Sequence, residues 1–257
     1  MRIVLKPLLW IYCVLALLLF IAGMLCALPF VAIFSLRGSV KGANLIYKTC
    51  FYWDWTWMTI IGLRPVMLPG GEPDPAKRYV FVANHISYLD IPLILRVIRR
   101  QPFRILGKAE MKNVPIFGYI YSRAVVMVDR SSPDQRSKSA RELIGVLRHG
   151  ISVFIFPEGT FNETDAPLKS FYDGAFRIAI ETQTPIKPIL FLDTYDRMHY
   201  STVFNLNPGK LRTAFLSEVS VEGLTIEDLP ELKAQVFRMM EEALKQRCGS
   251  WIRCPEE

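Results

Sequence analysis

Residues 8–36 contain no charged side chain, an apolar run of 29. About 20 such residues are enough for a helix to span a bilayer. A cleaved signal peptide has a shorter apolar core, about 7–15 residues, and a small-residue cleavage site. Here the run continues through Pro29, and Met24-Leu25-Cys26 is a poor match to a lipoprotein box. Arg2 and Lys6 precede the run, and Arg37, Lys41 and Lys48 follow it. Basic residues on both sides set no orientation by the positive-inside rule. They also suit a helix that breaks near Pro29 and returns to the same face. Residues 47–63 follow, with Trp53, Trp55 and Trp57 close together. Such aromatics favour a membrane interface; the core of a globular domain is the alternative. The pattern predicts two apolar or amphipathic helices, forming a membrane anchor over residues 1–65.

The pattern then changes. Residues 65–77, rich in proline and glycine, read as a loop and a domain boundary. Short β-prone runs recur at 79–83, 104–107, 125–129, 151–156, 186–192 and 211–217. Helical patterns lie between several of them, at 91–100, 116–122, 134–149 and 174–182. A last amphipathic helix is predicted over 227–246, with Leu232, Val236, Met239, Met240 and Ala243 on one side. Strands alternating with helices predict an α/β domain over residues 66–257. Its sheet is expected to be mixed, largely parallel and flanked by helices.

Composition changes the picture in three ways. The apolar content of 51% raises the expectation of a membrane segment. The net charge of +7 suits an anionic lipid or a phosphorylated substrate. Nucleic acid is not expected as a partner, because no binding motif accompanies the charge. The five cysteines form no CxxC pair. They argue against a disulfide framework and suit a reduced compartment. With three histidines and no metal-ligand spacing, no metal is expected.

Chemistry concentrates where strands end. The 79–83 run delivers Asn84 and His85, and Asp90 follows five residues after His85, at the start of a helical pattern. Histidine moves protons near neutral pH, and a carboxylate against its ring fixes the tautomer. On spacing alone a turn at Asn84 and Ser87, with Asp90 as a helix cap, reads equally well. The 151–156 run ends in Phe156-Pro157-Glu158-Gly159-Thr160, presenting Glu158 at a strand's carboxyl end, where α/β sheets bind ligands. Lys108 and Arg130 each follow a strand-like run, and two cations there suit a phosphate. Solvated surface charge is the alternative.

Together these motifs resemble the glycerolipid acyltransferase family. Asn84, His85, Ser87 and Asp90 match its Asn-His-x-Ser-x-x-Asp motif. Lys108, Glu110, Pro115, Gly118 and Arg130 match the second motif, and Phe156 to Thr160 the third. Ile186-Lys187-Pro188-Ile189 completes the array. The two-helix anchor resembles that of the bacterial 1-acylglycerol-3-phosphate acyltransferases. Two positions depart: Phe161 stands where the family has arginine, and Phe171-Tyr172-Asp173-Gly174 replaces Phe-Lys-x-Gly.

The resemblance implies an O-acyltransferase of phospholipid biosynthesis. It would move a fatty acyl group from acyl-CoA or acyl carrier protein to the sn-2 hydroxyl of lysophosphatidic acid. His85 and Asp90 would be catalytic. Asn84, Ser87, Lys108, Arg130, Glu158, Gly159 and Thr160 would bind substrate. No cofactor beyond the donor is implied, and the expected partners are membrane lipid and the acyl donor. The expected location is the cytoplasmic face of a bacterial inner membrane. Acyl transfer to another lyso-lipid, such as a lyso-aminolipid, is the main rival. A hydrolase using the same dyad and a non-catalytic lipid-binding protein are more distant.

Overall fold

A computed structural model describes residues 2–129 and 132–252. Helix α1 (Arg2–Ser35) continues through Pro29 without a break, so the alternative of a reversal there is not found. The chain turns instead at residues 36–38, where Gly38 takes φ 84°. Helix α2 (Ser39–Ile60) then runs back along α1. Trp53 Nε1 donates to Phe20 O at 3.1 Å, and Trp57 Nε1 to Ala16 O at 2.8 Å. Tyr12 Oη donates to Ile61 O at 2.6 Å, so the two helices are antiparallel. Pro7–Ser35, with mean hydropathy 2.7, is the one described helix long and apolar enough to cross a membrane.

Seven strands form one sheet, ordered β1-β7-β6-β2-β5-β3-β4. They are β1 (Leu63–Leu68), β2 (Val80–Ala83), β3 (Phe103–Lys108), β4 (Val125–Val128), β5 (Ser152–Ile155), β6 (Ile186–Phe191) and β7 (Gly209–Phe215). All neighbours are parallel except β6 and β7. The mixed, largely parallel sheet expected from the strand–helix alternation is therefore present. Strand β1 was not expected, and it begins at Leu63, inside the stretch assigned to the anchor. Its Pro65 is tolerated because β1 lies at the sheet's edge.

Successive residues of the central strands enter two different cores. Val80, Val82, Val153, Ile155, Ile186 and Leu190 pack beneath α4 (Pro133–Arg148), α5 (Gly174–Thr182) and α6 (Leu229–Gln246). Phe81, Ala83, Phe154, Phe156, Ile189 and Phe191 pack on the other face beneath α1, α2 and α3 (Asp90–Val97). Burial on both faces is why these strands read as nearly continuous apolar runs. Cys13 and Ala16 of α1 belong to the second core, so the N-terminal hairpin is built into the domain. Cys13, Cys26 and Cys50 are free, as expected, whereas Cys248 is disulfide-bonded.

Candidate active site

Strands β2, β5 and β6 are parallel neighbours, so their carboxyl ends open at one edge of the sheet. Strand β2 ends at Ala83 and hands the chain to Asn84 and His85. Strand β5, in register at Val80↔Val153 and Val82↔Ile155, ends at Ile155 and hands it to Phe156 to Thr160. Parallel pairing alone thus brings the first and third motifs side by side.

His85 Nδ1 lies 2.9 Å from Asp90 Oδ2. The same oxygen accepts the backbone N–H groups of Ile86 at 2.8 Å and Ser87 at 2.9 Å. Asp90 is fully buried, in the first turn of α3. Three donors on one oxygen hold the carboxylate still, and a fixed carboxylate at Nδ1 leaves Nε2 as the outward-facing nitrogen. The His85 side chain retains 14% of its exposure. Its ring stacks on Phe156, with centroids 3.8 Å apart and planes at 13°. Phe161 covers it from another side at 4.4 Å, and Tyr88 and Tyr200 pack against Phe161.

Glu158 does not face the cleft. It is fully buried; Oε1 accepts the His85 N–H at 2.8 Å and Oε2 accepts the Lys169 N–H at 2.9 Å. Burial pushes its carboxyl up to about 8, against these two donors, which favour the carboxylate. Asn162 N donates to His85 O at 2.7 Å. The main chain of His85 is therefore held at both its N–H and its carbonyl by the loop after β5. Gly159, at φ 75°, supplies the left-handed backbone this turn requires. Thr160 Oγ1 accepts from Lys169 Nζ at 2.9 Å.

Two further residues expected to bind substrate are instead occupied within the protein. Asn84 Nδ2 donates to Phe191 O and its Oδ1 accepts from Phe191 N, both at 2.9 Å, tying the end of β2 to β6. Ser87 Oγ donates to Met198 O at 2.6 Å and accepts from Leu89 N at 3.1 Å. Both side chains are fully buried. Lys108 is exposed at the end of β3, two strands from β2, on the same edge as His85. Arg130 lies outside the described residues. The sequence reading missed Phe156 as the platform for His85 and Asn162 as its backbone partner. Phe156 was visible only as a strand end and a motif match, with no sign that it meets the histidine ring, and Asn162 carried no motif signal.

Residues 67–192 match the family model described as Acyltransferase. Among curated proteins, a putative 1-acyl-sn-glycerol-3-phosphate acyltransferase of Caenorhabditis elegans is 28% identical over 221 residues, covering 80% of this chain and 72% of that protein. The 1-acyl-sn-glycerol-3-phosphate acyltransferase alpha of Mus musculus is 31% identical over 183 residues, covering 70% of this chain and 64% of that protein. A chloroplastic 1-acyl-sn-glycerol-3-phosphate acyltransferase of Arabidopsis thaliana is 32% identical, covering 62% of this chain and 44% of that protein. The last two matches thus span less than two thirds of the relatives' lengths. The crystal structure of the 1-acyl-sn-glycerophosphate (LPA) acyltransferase PlsC from Thermotoga maritima shares the fold. Its TM-score is 0.73 at 24% identity, covering 96% of this chain and 98% of that one. Residues 67–192 thus carry an acyltransferase domain, over which the chain resembles these relatives.

Proposed function

We propose that this acyltransferase moves a fatty acyl group from an acyl thioester to the sn-2 hydroxyl of lysophosphatidic acid, forming phosphatidic acid. The observation that carries the reading is the 2.9 Å contact between His85 Nδ1 and the buried Asp90 carboxylate. His85 Nε2 takes the proton from the acceptor hydroxyl. The acceptor oxygen attacks the thioester carbonyl, the new C–O bond forms and the C–S bond breaks. The imidazolium, stabilised by Asp90, returns its proton to the departing thiolate. Transfer is direct, without an acyl-enzyme. Coenzyme A and acyl carrier protein both supply a suitable thioester.

Lys108, Arg130, Gly159 and Thr160 bind the acceptor in this reading, joined by Lys169 beside Thr160. Asn84, Ser87 and Glu158 position the dyad. No metal or redox cofactor takes part. Helix α1 carries exposed Leu8, Trp10, Ile11, Leu15 and Leu18, which favours association with a membrane, where a lyso-lipid already resides. The resemblance to bacterial members favours the cytoplasmic face of an inner membrane.

One observation favours a second acceptor. Phe161 packs on His85 where the family carries arginine, so an aromatic ring takes the place of that cation beside the dyad. A lyso-lipid without a terminal phosphate needs no such cation. Purified enzyme offered labelled acyl thioester with lysophosphatidic acid, lysophosphatidylethanolamine and a lyso-aminolipid distinguishes the two. Esterification confined to acceptors without a terminal phosphate overturns the first reading. Substantial transfer by His85→Ala overturns the mechanism.

A further inference from the structure

One basic cluster takes no part in the site at His85. Arg96, Arg99 and Arg100 line a groove of about 400 Å³ together with Phe51, Trp55 and Gln101. The groove lies where the C-terminal end of α3 meets α2, edge strand β1 and the loop after it. Helix α3 separates the two places. It begins at Asp90, beside His85, and its eight residues span about 12 Å at 1.5 Å each. Arg104 and Lys112, close by in sequence, do not contribute. Arg104 is buried and bonded to Phe103 O and Asn44 Oδ1, and Lys112 lies in the turn Ala109–Asn113.

The groove contains polar groups left without partners. Gln101 is 8% exposed, and neither its side-chain oxygen nor its nitrogen has a hydrogen-bond partner among the described residues. Nη1 of Arg96 is buried and equally unpaired, while the guanidinium lies 5.8 Å from the Phe51 ring centroid. Buried polar atoms are normally satisfied, so a cluster that is not points to a ligand that satisfies it. Arg96 and the Gln101 amide nitrogen need acceptors, and the Gln101 oxygen needs a donor. A phosphate bearing a hydroxylated substituent offers both. Glu72 in the lining and Asp54, buried on α2 within electrostatic reach of Arg96, are the nearby acids. Three arginines outweigh them.

The groove's surroundings identify the source of that phosphate. Trp55 both lines it and is exposed, and Tyr52, on the same face of α2, is exposed beside it. Aromatics of this kind settle at the headgroup level of a bilayer. The hairpin partner of α2 is the long apolar helix α1. We propose that this groove binds the anionic, hydroxyl-bearing headgroup of a membrane phospholipid, held by Arg96, Arg99, Arg100 and Gln101. The lipid bound here is not the acceptor at His85, and the proposal stands apart from the acceptor's identity.

The test uses the full chain in neutral maltoside micelles, titrated with dihexanoyl-phosphatidylglycerol, dihexanoyl-phosphatidylcholine or inorganic phosphate, with tryptophan fluorescence as the readout. Phosphatidylglycerol is expected to give a saturable change, at least tenfold tighter than phosphatidylcholine, that is lost in Trp55→Phe. Arg99 and Arg100 are exposed, so the double variant Arg99→Gln/Arg100→Gln is expected to keep its unfolding midpoint and to weaken binding at least tenfold. Gln101→Met is expected to weaken phosphatidylglycerol selectively over inorganic phosphate. Equal binding of the two lipids, or phosphatidylglycerol binding unchanged in the double variant, overturns the proposal. So does inorganic phosphate displacing the lipid at equal affinity, which marks a simple anion site.

Discussion

Glu158 holds His85 by its main chain: Oε1 accepts the histidine's backbone N–H at 2.8 Å, while the other oxygen accepts from Lys169. A glutamate presented at a strand end, which reads in sequence as a substrate ligand, thus works as a brace between two loops. Glutamine in its place keeps one acceptor and points an amide N–H at the other donor. Loss of one buried hydrogen bond costs about 1–3 kcal/mol. Glu158→Gln is expected to lower kcat about tenfold or more with little change in KM for the acceptor. A rise in KM at constant kcat shows instead that Glu158 contacts the acceptor.

The same residue makes stability depend on pH. Its folded value of about 8 lies above the ordinary 4.5, so the folded protein keeps a proton that the unfolded chain releases. The unfolded state binds fewer protons between those values, so this group's contribution falls as pH rises from about 4.5 to 8 and then levels off. Thermal unfolding of wild type and Glu158→Gln across pH 5 to 8 measures it. The variant is expected to show the shallower decline; parallel curves contradict the assignment.

Asp90 is held by three donors on one oxygen, so Asp90→Asn keeps the shape and changes the chemistry. An amide cannot stabilise the imidazolium and favours the wrong tautomer. A loss of roughly 10³–10⁴-fold in kcat is expected, as for a triad carboxylate. Single-turnover acyl transfer checks it, and a loss below tenfold removes Asp90 from the proton-handling pair.

Asn84→Ala leaves both the N–H and the carbonyl of Phe191 without their present partner. Both groups are buried, so a destabilisation of about 2–4 kcal/mol is expected from urea unfolding. An effect under about 0.5 kcal/mol shows that water replaces the amide there.

Phe161→Arg restores the cation typical of the family beside the dyad. The KM for lysophosphatidic acid is expected to fall severalfold relative to that for a lyso-lipid without a terminal phosphate. An unchanged ratio places the acceptor phosphate elsewhere, toward Lys169 or Lys108.

Most of the sheet was legible because its central strands are buried on both faces and read as short apolar runs. Strand β1 was hidden by Pro65 and the glycines that follow, residues that suit an edge as well as a loop. The apolar run left open a break at Pro29, but the chain turns where the first charge after the run, Arg37, meets a glycine in left-handed conformation, Gly38. In the site, the spacing of His85 and Asp90 was readable because a strand-to-helix junction is a local event. The inward aim of Glu158, Asn84 and Ser87 was not. Their partners His85, Phe191 and Met198 lie on other strands or loops, more than 70 residues away, and the order of strands in the sheet brings them together.

Cys13 and Ala16, near the start of the long apolar helix, pack in the same core as Phe81, Phe154 and Phe191. A version trimmed at residue 65 to gain solubility would lose a wall of its own interior and leave part of the sheet's aromatic face open to water. For this protein, the apolar hairpin is a structural part of the domain and not a detachable tail.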